Sequence, residues 1–250
     1  AWEYFSGFSC ENANLVVTQQ ETALWVDGRF FGAADAALAG TGVASMHMGV
    51  KGVPTLEEYL ADKLQPGQVL GYTAEVMPPS QLRRLEALSQ KVGFVLSPLP
   101  LVDEAWTEDR PSLPATSVWL LDTRYAGLSP AEKLTKLREA LVQEEATAMV
   151  VTRLDSVAWL LNLRAGDIDH TPYALAFCYV DMDKAVLFTD GSRVPAEAKD
   201  ALAQAGVSLE DYQALPGYIA GISQPRTVLF DPASLNAALY NALRENPACT

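Results

Sequence analysis

"LWVDGRFFGAADAAL", residues 24–38, returns as "LFTDGSRVPAEAKDAL", residues 187–202. In both strings an apolar pair and one further residue precede Asp-Gly (Asp27-Gly28 and Asp190-Gly191). A basic residue follows (Arg29 and Arg193), then an alanine-rich run ending in Ala-Leu. The likeness extends upstream, where "NLVVT" (14–18) and "TALWV" (22–26) answer "ALAFCYV" (174–180) and "KAVLF" (184–188). Each pair of apolar runs is joined by a short polar link, "QQE" or "DMD", which predicts a β-hairpin. An alanine-rich helix follows each hairpin, and Pro195 and Gly206 mark the ends of the second one.

Further along each copy a strand precedes a helix: "QVLGY" (68–72) before "PSQLRRLEALSQKVG" (79–93), and "TVLFD" (227–231) before "PASLNAALYNALREN" (232–246). Leu235, Leu239 and Leu243 recur every fourth residue and predict one buried stripe. Alternating strands and helices give an α/β fold, each unit a mixed sheet flanked by helices. The proline-rich, acidic stretch 96–117 reads as a surface crossover. Two tandem duplicated domains are therefore expected, over residues 1–116 and 117–250.

After the crossover, Ser129, Pro130 and Glu132 have the spacing of a helix start with a capping box. That helix and the strand "AMVVT" (148–152) precede Trp159 in the second copy, whereas Trp2 has only Ala1 before it. The first domain is thus expected to lack its N-terminal helix and strand, and the chain to read as a fragment.

A formal net charge of −13 over 250 residues argues against nucleic-acid binding, which needs clustered Lys and Arg. No apolar run reaches the roughly 18 residues of a membrane span. Cys10, Cys178 and Cys249 lack metal-ligand spacing and read as reduced thiols of a cytoplasmic protein.

Motifs for chemistry are sparse. "AGDIDHTPY" (165–173) gathers Asp167, Asp169 and His170 in one loop, but a metal shell there would need ligands from elsewhere. The structural reading has these Asp side chains bonding local backbone N–H groups in a turn. His47 has no carboxylate beside it in the sequence and is expected to be partly buried against backbone. There is no nucleophile elbow, no phosphate-binding glycine loop and no H-E-x-x-H. The two Asp-Gly pairs are read as turns rather than catalytic carboxylates. Arg29 and Arg164 follow apolar segments and fit surface ion pairs, with an interface or a ligand carboxylate as the alternative. Trp2, Trp25 and Trp159 are expected in the core.

Five stretches in order, "WEYFSGF" (2–8) with "ALWVDGRFF" (23–31), "MHMGVKGVPTLEEYLAD" (46–62), "LVDEAWTEDRP" (101–111), "VAWLLNLRAGDIDHTPYALAF" (157–177) and "VLFDPASLNAALYNAL" (228–243), resemble the three-domain Xaa-Pro aminopeptidases (aminopeptidase P). The resemblance implies two creatinase/prolidase N-terminal-like domains ahead of a C-terminal pita-bread catalytic domain. That domain would hold a dinuclear manganese or zinc site that hydrolyses the bond before a second-position proline. No metal ligand, cofactor or catalytic residue can be placed in these 250 residues. The partners implied are the chain's own catalytic domain, peptides with proline second, and a second copy in a homodimer. "SCENANL" (9–15) departs from the glycine-containing segment that relatives carry there. The loop with Arg164, Asp167, Asp169 and His170 is similar to the family's "LRGSDI" segment and is expected at the face toward the catalytic domain, shaping substrate access. Two other readings stand beside this one. The first is a stand-alone small-ligand-binding or pseudoenzyme module using its interdomain cleft. The second is a prolidase or creatinase relative, which the tandem pair disfavours.

Overall fold

The repeated strings fold as hairpins that end at their Asp-Gly pairs. In a computed structural model describing residues 1–250, the chain divides into two units. One comprises Ala1–Thr73 with Gln81–Arg110, the other Ala74–Ser80 with Pro111–Thr250. The first unit runs α1 (Trp2–Ser6), β1 (Ala13–Val17), β2 (Thr22–Val26), α2 (Phe31–Leu38), β3 (Val43–His47), α3 (Leu56–Lys63), β4 (Val69–Tyr72), α4 (Pro79–Val92, from its third residue), β5 (Val95–Pro98) and α5 (Leu101–Ala105). The second contains β6 (Trp119–Leu120), α6 (Thr123–Ala126), α7 (Pro130–Gln143), β7 (Ala148–Val151), α8 (Leu154–Leu160), β8 (Leu163–Arg164), β9 (Phe177–Asp181), β10 (Ala185–Phe188), α9 (Ala196–Gln204), β11 (Val207–Glu210), α10 (Leu215–Ala220), β12 (Val228–Phe230) and α11 (Ala237–Glu245).

Both hairpins turn by the same device. A side chain at the start of each turn accepts from backbone N–H groups ahead of it: Thr18 Oγ1 from Gln20 N at 3.2 Å and Glu21 N at 3.0 Å, and Asp181 Oδ1 from Asp183 N and Lys184 N at 2.9 Å each. The antiparallel pairs β1–β2 and β9–β10 then continue through α2 and α9 into β3 and β11, each parallel to its predecessor. Antiparallel and parallel neighbours in one sheet make both units mixed α/β.

In the second unit the strand order is β11-β10-β9-β7-β12. Alternation along the strands separates two faces. Val151, Cys178, Val180, Ala185 and Leu187 pack with Leu134 of α7 and Leu202 of α9. Val150, Tyr179, Val186 and Phe188 pack with Leu215, Ile219, Leu239 and Leu243 from the side of α10 and α11. Full burial of each Val, Leu, Ile or Phe among them contributes about 1.5–3 kcal/mol. The leucine stripe is buried as its spacing predicts, but α11 begins at Ala237 rather than at Pro232. Asn236 caps it by accepting from Leu239 N, while Ala233 N donates to Asp231 and holds the preceding residues in a turn.

The first unit differs in one respect. Its sheet is β1-β2-β3, while β4 pairs only with β5 in a separate parallel pair. In the second unit β7 lies between β9 and β12, bonding both, and so joins the hairpin to the later strand. The core of the first unit gathers Phe8, Leu24, Val26, Ala34 and Leu38. On the other face Trp25 meets Tyr59 edge-on at 5.0 Å, and its Nε1 donates to Pro54 O at 2.9 Å.

Candidate functional site

The loop between β8 and β9 carries most of the candidate residues, and α8 leads into it. The last carbonyls of α8 need donors. Arg164 Nη1 donates to Ala158 O at 2.7 Å, and Lys133 Nζ to Trp159 O at 2.7 Å. Two cations at a helix C-terminus also suit its dipole. Lys133 is buried, and it donates in addition to Asn162 Oδ1. Burial, and then the charge of Arg164, hold the Lys133 ammonium below the ordinary lysine pKa. Arg164 is half-buried, and its backbone pairs with Trp119 across β6–β8.

Asp167 points inward. Its carboxylate pairs with Arg193 Nη1, and the side chains are 0% and 4% exposed respectively. It also accepts from Thr116 Oγ1 at 2.6 Å and Leu175 N at 2.6 Å. Burial raises its pKa, but the bonds from Arg193, Thr116 and Leu175 outweigh that and bring the carboxyl below the ordinary carboxylate value. Arg193 donates further to Leu175 O and Thr189 Oγ1, so one buried ion pair fastens the loop to the turn after β10.

Asp169 and His170 stand exposed at the tip of the same loop. Thr171 N donates to Ile168 O at 3.1 Å and closes the turn, and His170 has φ 61°. That left-handed conformation is uncommon outside glycine, though His, Asn and Asp enter it more readily than most. Asp167 and Arg193 thus anchor the base of the loop, and Asp169 and His170 form its tip.

These residues do not converge on an ion. Asp167 is consumed by the buried pair while Asp169 and His170 face outward. No group of three or more His, Cys, Asp or Glu side chains is placed to hold a metal.

The other singled-out residues are structural. Asp27 Oδ1 accepts from Arg29 N and Asp190 Oδ1 from Ser192 N, the bonds of tight turns. Arg29 forms exposed ion pairs with Asp27 and Glu11. His47 departs from expectation: its Nε2 lies 2.9 Å from Asp35 Oδ1, and its ring stacks on Phe31 at 4.1 Å. The partner lies on α2, which folds back over β3, so nearness in sequence gave no hint of it. Trp159 is not in the core. It is 55% exposed, and its ring carries the Lys133 ammonium 4.6 Å from the centroid.

Sequence reading missed Lys133, Thr116 and Arg193 as parts of this arrangement. Only Arg193 had a signal, as the counterpart of Arg29 in the repeat.

The two copies of the hairpin, helix and strand define a duplicated α/β fold. Two family models, each described as the creatinase/prolidase N-terminal domain, match over residues 1–100 and 109–250, and the chain belongs to that family. The chain is 36% identical to Aminopeptidase P2 of Arabidopsis thaliana over 245 residues, 96% of this chain and 34% of that protein. It is 34% identical over 244 residues to a probable Xaa-Pro aminopeptidase P of Laccaria bicolor, covering 94% of this chain and 38% of that one. A solved X-prolyl aminopeptidase from Caenorhabditis elegans, described as a cytosolic enzyme with a di-nuclear active site, matches all of this chain and 42% of its own. The TM-score is 0.89 and the identity 30%. The chain thus spans about a third of the length of the curated relatives it matches. No helix is long and apolar enough to cross a membrane.

Proposed function

We propose that these 250 residues are the non-catalytic N-terminal half of an Xaa-Pro aminopeptidase, serving assembly and access to an active site held elsewhere in the polypeptide. The observation that carries this is the end-to-end match, at a TM-score of 0.89, to part of the C. elegans enzyme. The di-nuclear group named for that enzyme does not fit any cluster of side chains in this chain. In this reading the metals, manganese or zinc, and the peptide-cleaving groups belong to a catalytic domain. The substrates are peptides with proline second, the enzyme is cytoplasmic, and it works as a homodimer.

The loop of Arg164, Asp167, Asp169 and His170 is the part of this half that faces the catalytic domain. Arg164 and Asp167 set its shape, and Asp169 and His170 make the contact. In the complete polypeptide, D169A with H170A is expected to change kcat/KM for Xaa-Pro peptides about tenfold, the effect of one or two lost polar contacts of roughly 1.4 kcal/mol in total. Neither side chain is buried, so any fall in melting temperature should be limited to the backbone cost of alanine at the left-handed position 170. Peptide hydrolysis unchanged by the double substitution would remove the loop from the access face.

A further inference from the structure

The second copy of the repeat shows what the first leaves open. Strand register makes Asn14 the counterpart of Phe177, since they lie opposite Trp25 and Phe188. It makes Met48 the counterpart of Tyr212, each two residues beyond a paired strand position, Met46 or Glu210. In the second unit Phe177 stacks on Tyr212, ring centroids 4.9 Å apart, and the two rings occupy that place. In the first unit Asn14 and Met48 instead line a cavity of about 720 Å³, all of whose lining belongs to that unit. Its wall is a longer connection. Residues 48–55 join β3 to α3, where residues 211–214 suffice between β11 and α10. Trp25 fastens this loop through its bond to Pro54 O.

The groups around the cavity select a ligand. Gln81 Nε2 donates to Asn14 Oδ1 at 3.1 Å, which leaves Asn14 Nδ2 as a donor and Gln81 Oε1 as an acceptor without a protein partner. One donor beside one acceptor matches a single peptide group, which offers one C=O and one N–H. Gln81 and Arg84 are three residues apart on α4 and share a face of it. The two carboxylates at the cavity are already engaged: Glu58 accepts from Thr55 N and Oγ1, and Glu57 from Arg84 Nε at 2.8 Å. Arg84 uses only its Nε in that ion pair, so its Nη donors and the Lys51 ammonium remain for an anion.

We infer that this cavity binds the C-terminal end of a peptide, with Asn14 and Gln81 bonding its last peptide group and Arg84 and Lys51 its carboxylate. Met48, Val53 and Leu56 give the last side chain an apolar wall. The inference stands apart from the proposed function, because it needs no group from a catalytic domain.

N-acetyl-leucine carries the required amide, apolar side chain and carboxylate, and its acetylated nitrogen offers no free amine to an aminopeptidase site. Titration calorimetry on the complete polypeptide is expected to show saturable binding of this probe. N-acetyl-leucinamide, which lacks the charge, should bind at least about tenfold more weakly, the loss of one charge-assisted bond. The variant K51Q/R84Q should weaken binding of N-acetyl-leucine by a similar factor and keep its fold, since both side chains are exposed. N14F/M48Y, which gives the first copy the aromatic pair of the second, should abolish binding. Equal affinity for the amide, undiminished binding by K51Q/R84Q, or no saturable heat up to about 10 mM overturns the inference. Undiminished binding by N14F/M48Y overturns it as well, since the probe would then sit elsewhere.

Discussion

Replacing Asp167 with alanine is expected to destabilise the second unit by about 3–5 kcal/mol, because it strands a buried guanidinium. Arg193 would keep its bonds to Leu175 O and Thr189 Oγ1 but lose its only carboxylate. Thr116 Oγ1 and Leu175 N would lose their acceptor as well. Asp167→Asn should cost less, since an amide oxygen can still accept from Thr116. The sign of the pH effect follows from the lowered pKa. The carboxylate's contribution is complete above the unfolded-state value of roughly 3.9 and is lost as pH falls through the lower folded-state value. Urea unfolding of the wild type should therefore weaken below about pH 4, and the D167A variant should lack that component. A loss below about 1 kcal/mol, the range of exposed ion pairs, would show that the pair is not insulated from water.

The second large effect concerns the duplication. Leu24 and Leu187 occupy the same place in the two copies, and both are 0% exposed. Each belongs to a core confined to its own unit, Leu24 with Phe8, Ala34 and Leu38, Leu187 with Cys178, Val180 and Leu202. Truncating either to alanine removes about 2–5 kcal/mol through lost burial and the cavity left behind. Hydrogen exchange should localise the damage. L24A is expected to speed exchange in β1, β2 and β3, and L187A in β9, β10 and β11. If either substitution loosened both sets equally, the two copies would share one cooperative core.

Local signals in the sequence were easy to read. Thr18 and Asp181 start hairpins by side-chain-to-backbone bonds within three residues, and Ser129 with Glu132 forms the capping box that its spacing predicts. The internal repeat supplied the order of the elements, since each copy repeats hairpin, helix and strand. What stayed hidden depends on long-range placement. The Asp167–Arg193 pair spans 26 residues and becomes an ion pair only because β9 and β10 bring the loop and the turn together. Lys133 sits in an ordinary amphipathic helix, and nothing in its neighbours indicates that its ammonium ends on Trp159 O. Trp159 is expected in the core because Trp recurs within the repeat, yet only Trp2 and Trp25 pack inward while Trp159 stays exposed. The loop's candidates were visible as a cluster of types, but the division between a buried anchor and an exposed tip required the fold.

The most direct test is cleavage of an Xaa-Pro tripeptide, followed by release of its first residue, with manganese or zinc supplied. The 250-residue chain alone should release nothing, and the complete polypeptide from which it comes should cleave before proline. Release by this chain alone, or none by the complete polypeptide, would contradict its assignment as the non-catalytic half of an Xaa-Pro aminopeptidase.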